Sequence, residues 1–180
     1  QQTKHLPQSS DWSEQARREL ETLHACDPHA TSDVGTVVNN LAEIAAVIGN
    51  RYHFDVKIGY VQPGLTAAIH PNVLRQTLIT ALGQVAPHAG ESEMALYAGM
   101  ENGQATITLS CPMVKMPLPT SDDILAGILA PETISIQAHL ERTCLFLWFR
   151  LPAAGQSTVL VVDDNPDMIR FYQRATEGTN

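Results

Sequence analysis

The sequence is poor in charged residues, and above all in basic ones. Charged residues make up 17% of its 180 residues, whereas about 25% is usual in soluble domains. Only 11 residues are lysine or arginine against 19 acidic ones, which gives a net charge of −8. Nucleic-acid binding and electrostatic attachment to a membrane both need clustered basic side chains. This balance therefore predicts neither a nucleic acid nor a membrane as a partner of this segment.

Cysteines and long apolar runs are also scarce. The three cysteines, Cys26, Cys111 and Cys144, are widely spaced and odd in number. They form no disulfide framework and favour a reducing, cytoplasmic compartment. No apolar run approaches the ~18 residues of a membrane-spanning helix. Residues 1–10 are polar, so they lack the apolar core of a secretory signal and are predicted to be a flexible end.

The hydrophobic residues, 44% of the chain, follow helical and strand periods in turn. Apolar residues at steps of three and four predict helices over residues 11–26, 33–49, 71–86, 122–129 and 132–141. Alternating or continuous apolar patterns predict strands over residues 54–61, 65–69, 93–100, 104–110 and 143–151. Thr31 or Ser32 is the expected cap of the second helix and Ser121 that of the fourth, while Pro131 opens the fifth.

This order of elements predicts an α+β fold. The expected form is a two-layer α/β sandwich, in which a mixed, mostly antiparallel sheet carries helices on one face. The helix within residues 11–28 could be a remnant of a dimerisation region, with Leu20 and Leu23 as contacts. His24, Cys26 and His29 crowd one helix end without a second matching pair, which predicts an exposed helix terminus and no metal site.

The same order resembles the ATPase domain of sensor histidine kinases, which has the Bergerat fold. The most specific stretch is IHPNVLRQTLITALGQ at residues 69–84, in which Leu-Arg-Gln-x-Leu lies on the third helix. The segment FRLP at residues 149–152 resembles the closing strand of that family. The resemblance implies a histidine-kinase-ATPase-like domain at residues 29–152.

The family's nucleotide-binding positions carry other residues in this chain. Counting along the third helix places Gln84 at the asparagine that binds magnesium, and Thr80 at a companion asparagine. Glutamine displaces the amide oxygen by one methylene, a large error for an ion that demands near-ideal octahedral geometry. Cys111 begins the stretch that corresponds to the family's Asp-x-Gly-x-Gly motif, and a thiol is a poor acceptor for the adenine amine. Residues 121–134 offer only Gly127 for a phosphate-binding lid.

These departures predict a degenerate site, in which Thr80, Gln84 and Cys111 are non-functional equivalents of nucleotide-binding residues. The resemblance then implies no catalytic residue in this segment, and it argues against ATP and against any other cofactor here. An active kinase with an atypical nucleotide site is the alternative in the enzyme class.

A second resemblance begins after a predicted linker at residues 153–157. The run TVLVV predicts a buried strand that ends at Asp163 and Asp164, and it resembles the opening of a response-regulator receiver domain. In that family, paired acids at the carboxyl end of a strand bind Mg²⁺ beside a phosphoacceptor aspartate. The resemblance implies that residues 158–180 are the incomplete start of a receiver, which would bind Mg²⁺ only when complete.

The leading hypothesis is therefore a component of bacterial-type two-component signal transduction, or phosphorelay. Its degenerate kinase-like domain would act by protein contact on the attached receiver. Kinase or receiver domains are the expected partners, and a homodimer is left open. A partner-binding scaffold unrelated to phosphorelay is a further alternative.

Overall fold

The computed structural model describes residues 9–27, 30–89, 91, 93–113, 119–154, 165, 168 and 170. Four helices lie within this part of the chain: α1 (Ser9–Cys26), α2 (Val34–Tyr52), α3 (Pro71–Ala89) and α4 (Ser121–Ala126). Seven strands lie there as well: β1 (Ser32–Asp33), β2 (Asp55–Val61), β3 (Thr66–Ala67), β4 (Glu93–Glu101), β5 (Gln104–Pro112), β6 (Ser135–Glu141) and β7 (Cys144–Arg150).

Five of the strands form one sheet in the order β2-β4-β5-β7-β6. The β2–β4 pair is parallel and the other three pairs are antiparallel. Strands β1 and β3 form a separate antiparallel pair, and Ala67 of β3 also bridges to Ala153 beyond β7. The predicted α+β fold with a mixed, mostly antiparallel sheet is confirmed.

The hydrophobic core lies between α2, α3 and one face of the sheet. Successive strand residues point to opposite faces, so alternate residues of the inner strands are buried. The largest fully buried side chains are Leu41, Ile69, Leu74, Leu78, Leu82, Met94, Leu96, Ile107, Leu109, Leu145, Leu147 and Phe149. Each such side chain contributes about 1.5–3 kcal/mol by leaving water, and together they fix how α3 lies on the sheet.

Helix α2 begins and ends at different residues from those predicted. Its cap is Asp33, whose carboxylate accepts a hydrogen bond from the Thr36 amide at 2.6 Å; it is neither Thr31 nor Ser32. The Ser32 hydroxyl instead donates to the Ile69 carbonyl at 2.6 Å. The helix runs past Gly49 to His53, which adopts a left-handed conformation with φ 65°. Gly49 allows the Phe54 carbonyl to approach the helix closely, since a Cβ atom would collide with it.

The predicted helix over residues 132–141 is wrong, because β6 occupies Ser135–Glu141. All seven β6 residues pair with β7, and the side chains alternate between exposed and half-buried. Arg142, with φ 55°, turns the chain between the two strands. Helix α4 is also shorter than predicted, and its cap is Thr120 where Ser121 was expected.

Helix α1 packs on the core through Leu20. This side chain is only 6% exposed and belongs to the main core cluster, so it is not available as a dimerisation contact. Leu23 is 45% exposed. In the described part of the chain, no helix combines the length and the apolar character that a membrane crossing requires.

Candidate functional site

Thr80 and Gln84 lie one turn apart on α3, so they project from the same side of the helix. Both are half-buried. The stretch that faces them is residues 120–134, which we call the strap; it contains α4 and leads into β6. Two contacts join α3 to the strap, and each uses one of the two residues singled out from the sequence.

The first contact is a hydrogen bond to the Thr80 hydroxyl. Its oxygen accepts from the backbone N–H of Leu129 at 3.2 Å and donates to the Thr77 carbonyl at 2.9 Å. A hydroxyl has a single proton to donate, and the Thr80 proton is committed to α3 itself. Leu129 is a buried residue, so the bond supplies a partner to a backbone amide in the packed part of the strap.

The second contact brings the carboxamide of Gln84 against Gly127. A Cβ atom added to Gly127 would overlap this group, coming within 2.5 Å of its Nε2 atom. The backbone of Gly127 is right-handed, with φ −89° and ψ −8°, a conformation open to any residue. Glycine therefore permits the close approach of Gln84, and the backbone conformation at this position does not require it.

The strap is held down along its length. At its start, the Thr120 hydroxyl accepts from the Asp123 amide at 3.1 Å, and the Asp123 carboxylate accepts from the Thr120 amide at 3.1 Å. This reciprocal arrangement is a capping box. The Thr120 hydroxyl and amide also hold the pKa of Asp123 below its usual range. Further along, four isoleucine and leucine side chains of the strap are buried: Ile124, Ile128, Leu129 and Ile134.

Cys111 is placed differently from Thr80 and Gln84. It is fully buried on β5 opposite Leu145 of β7, and its sulfur lies 3.8 Å from that of Met113. Burial, and secondarily the nearby Cys144, raise the pKa of the Cys111 thiol to about 12. The thiol is thus neutral at physiological pH and carries no charge that could stand in for an aspartate.

Several sequence predictions lie outside the described residues. Asp163 and Asp164 are among them, as are the linker after Ala154 and most of residues 158–180. Their predicted roles therefore remain predictions. Among the residues that the structure does describe, no group of three or more histidine, cysteine or acidic side chains is placed to hold a metal ion.

A surface cavity of about 430 Å³ lies elsewhere in the fold, at the end of α2. Its lining includes His53, Asp55, Glu91 and Glu93. Neither Thr80, Gln84 nor Cys111 belongs to its wall. The sequence pattern pointed to Gly127 only as a lid glycine and did not point to Leu129. The one signal for a contact with α3 is that Gly127 is the only glycine of the strap.

No family model and no curated protein matches this chain, but solved structures of histidine kinases do. The histidine kinase AdeS of Acinetobacter baumannii is similar with a TM-score of 0.58 and 7% identity, over 80% of this chain and 77% of that one. Full-length ShkA in complex with AMPPNP is similar with a TM-score of 0.55 and 14% identity, over 88% of this chain and 42% of that one.

The histidine kinase ThkA, in complex with the response regulator protein TrrA, is similar with a TM-score of 0.52 and 9% identity. The match covers 83% of this chain and 53% of the ThkA chain. At such identities the likeness concerns the fold alone. The chain has the fold of histidine-kinase catalytic domains, as its element order indicated.

Proposed function

We propose that this chain is a component of two-component signal transduction, and that its kinase-like domain acts by protein contact and not by ATP chemistry. The observation that carries the proposal is the pair of contacts that the strap makes with Thr80 and Gln84. These are the two α3 positions at which the family resemblance implies magnesium and nucleotide binding.

The residues present do not fit a magnesium-bound nucleotide. The Gln84 carboxamide packs on Gly127, and the Thr80 hydroxyl is bonded to Leu129 and Thr77. Gln84 could turn away by changing its rotamer. Separating the Thr80 hydroxyl from the Leu129 amide, however, would require the strap to move, which would expose side chains such as Ile128 that are now buried. Each such exposure costs about 1.5–3 kcal/mol. The strap therefore covers Thr80 and Gln84 and blocks the binding of a nucleotide at these positions.

Cys111 adds an independent reason. In the family, the acid that opens the Asp-x-Gly-x-Gly motif binds the adenine amine, which requires a good hydrogen-bond acceptor. A buried thiol with a pKa of about 12 is uncharged and is only a weak acceptor. Neither the adenine end nor the phosphate end of a nucleotide would find the partner that the family provides.

The signalling role comes from what the domain is joined to. We place the start of a receiver domain at residue 158, with Asp163 and Asp164 as magnesium ligands once that domain is complete. Kinase or receiver domains are the expected partners, and the cytoplasm is the expected compartment. Support comes from ThkA, a protein of the same fold whose structure was solved in complex with a response regulator.

An active kinase with an atypical nucleotide site is the rival function. It is favoured by ShkA, a full-length protein of similar fold whose structure was solved with AMPPNP. In this reading Gln84 would turn away from Gly127 and bind the metal through its amide oxygen. A partner-binding scaffold unrelated to phosphorelay is the further alternative. It would have the same closed strap, but no receiver domain would follow it.

Isothermal titration calorimetry of the 180-residue chain with Mg-ATP separates the first two functions. We expect no saturable heat at micromolar concentrations and no rise in melting temperature. A nucleotide present at a hundred times its Kd would stabilise the fold by about 2.7 kcal/mol. Micromolar binding that is lost in Gln84→Ala, but kept in Gln76→Ala at an exposed α3 position, would contradict the proposal.

The receiver assignment has its own test, the sequence that follows residue 180. A complete receiver requires a further strand that ends in an aspartate, and a lysine later in the chain. If neither is encoded downstream, the assignment fails and the scaffold function takes its place, whatever the calorimetry shows.

A further inference from the structure

The two edges of the five-stranded sheet are built differently. At the β2 edge, Asp55 and Lys57 are charged and exposed, and the register with β4 shifts between Ile58 and Val61. Charges and bulges are the devices by which proteins prevent edge strands from pairing with other chains. The β2 edge is therefore protected.

The β6 edge, Ser135–Glu141, has no bulge and no acidic residue, lysine or arginine before its last residue. All seven residues pair with β7 in unbroken register, and the strand contains no proline, lysine or arginine. Its one acid, Glu141, is the last residue of the strand. A regular edge with a charge only at its end leaves a row of backbone donors and acceptors that can pair with another strand.

The core-facing side of β6 is also incompletely covered. Ile136, Ala138 and Leu140 are only half-buried, whereas their β7 partners Leu145 and Leu147 are fully buried. The helix that packs beside β6 is α4, and it has only six residues. Part of the apolar surface of these three side chains thus stays exposed along the same edge of the sheet that offers the backbone groups of β6.

We propose that β6 pairs with β6 of a second copy of this chain, antiparallel and centred on Ala138, so that the two sheets become continuous. The sequence of the strand is complementary to itself in this register. Ile136 faces Leu140 of the other copy on the core side, and Gln137 faces His139 on the outer side. Ser135 meets Glu141 at each end, so no like charges oppose each other. Cross-strand pairs of this kind stabilise a sheet.

Self-complementarity of the strand points to a second copy, and charge determines the edge at which two copies can meet. Each chain carries a net charge of −8, so two copies repel each other at most of their surfaces. The β6 edge is uncharged over its first six residues. Because salt screens the remaining long-range repulsion, the dimer should become tighter as salt rises from low to physiological concentration.

The test is a light-scattering mass measurement on the 180-residue chain, at concentrations up to roughly 1 mM so that a weak dimer is populated. We expect a mass that rises with concentration toward twice 19.6 kDa. The double variant Gln137→Lys/His139→Lys should weaken the dimer at least about tenfold, because lysines then face each other across the pair. Tyr60→Lys, on the β2 edge and 69% exposed, is the matched control and should leave the dimer intact.

A second double variant, with the opposite charge, tests whether the lysine substitutions act only by disturbing the fold. Gln137→Glu/His139→Glu should be as monomeric as the lysine variant, since glutamates would then face each other. Mixing the two variants in equal amounts should restore a dimer, because each lysine meets a glutamate. A wild-type chain that stays monomeric throughout, a dimer insensitive to the lysine variant, or a mixture that stays monomeric would each overturn the proposal.

Discussion

The side-chain amide of Gln84 lies directly against the backbone of Gly127, so that no Cβ atom could be added to Gly127 without moving Gln84. The two residues belong to α3 and to the turn that ends α4. Their contact closes the strap over the α3 positions that the family resemblance assigns to nucleotide binding. The stability of this contact can be measured by substitution.

Gly127→Ala should lower the free energy of unfolding by about 0.5–1.5 kcal/mol. The new methyl group displaces the Gln84 carboxamide, which can rotate away at about the cost of an unfavourable rotamer. In the Gln84→Ala background the same substitution should cost nearly nothing, because the obstacle is gone. Urea unfolding of the four proteins of this cycle measures the coupling.

The control for that substitution is Gly83→Ala. Gly83 also lies on α3, but no atom lies within 4 Å of an added Cβ. Alanine in a helix is favoured over glycine by about 0.5–1 kcal/mol, so this variant should be more stable than the wild type. If Gly127→Ala were stabilising to the same degree, the close contact with Gln84 would not exist in solution.

Thr80→Val should lower the free energy of unfolding by about 1–3 kcal/mol, because it leaves the backbone amide of the buried residue Leu129 without its hydrogen-bond acceptor. Thr77→Val should be neutral or stabilising, since the buried Thr77 hydroxyl has no hydrogen-bond partner among the described residues. The two substitutions are chemically identical and lie three residues apart on one helix. In thermal unfolding, the melting temperature should fall for Thr80→Val and should rise or stay unchanged for Thr77→Val. Equal changes in melting temperature would argue against the bond to the strap.

Thr120→Ala should destabilise the start of the strap by about 1 kcal/mol, the usual cost of losing a helix cap. Ser121→Ala, one residue further on, should change stability by less than half as much, since Ser121 makes no cap. The hydrogen bonds from Thr120 favour the ionised Asp123 carboxylate and hold its pKa low. The stabilisation that these bonds contribute is therefore fully present above the ordinary pKa of an aspartate. It should be lost as the pH falls through the lowered pKa, and Thr120→Ala should flatten that part of the stability curve.

Cys111 should make the fold sensitive to alkali. Its pKa is about 12 in the folded chain against an ordinary value of 9.0, so above pH 9 the thiol ionises only in the unfolded state. The contribution of this thiol to the free energy of unfolding is fully present below pH 9. It should fall by up to about 1.4 kcal/mol per pH unit between pH 9 and pH 12. Cys111→Ala should remove this slope, whereas Cys26→Ser at an exposed position should keep it. An unchanged slope in Cys111→Ala would show that other groups cause the loss.

Thiol labelling gives a second readout for the same residue. Only the thiolate reacts with maleimide, and only where the reagent can reach it. Cys26 is exposed and should react within the ordinary labelling time, whereas Cys111 should react only after unfolding. Rapid labelling of Cys111 in the native chain, located by mass spectrometry, would mean that the core opens at β5.

Local patterns were sufficient for most of the elements. The apolar residues of α2 and α3 recur at helical spacing, and those of β4, β5 and β7 follow strand patterns, because each pattern reports burial of one face. Helix caps were less predictable, since Thr120 and Ser121 are both suitable residues and only the hydrogen bonds distinguish them. Pro131 and the helix-compatible residues that follow it favoured a helix at 132–141, although Ile136, Ala138 and Leu140 also alternate as in a strand.

The sequence by itself determined the fold class and the main strands of the five-stranded sheet. It also predicts, through the resemblance, that other residues replace the family's asparagine, aspartate and glycines. Only the tertiary structure decided that β6 is a strand, because its backbone finds its partners on β7 and a pattern within ten residues cannot choose between the two periods. Only the tertiary structure placed the strap on α3: the hydrogen bond between Thr80 and Leu129 spans 49 residues. A contact of that separation depends on how both segments pack on the sheet, and no local spacing encodes it.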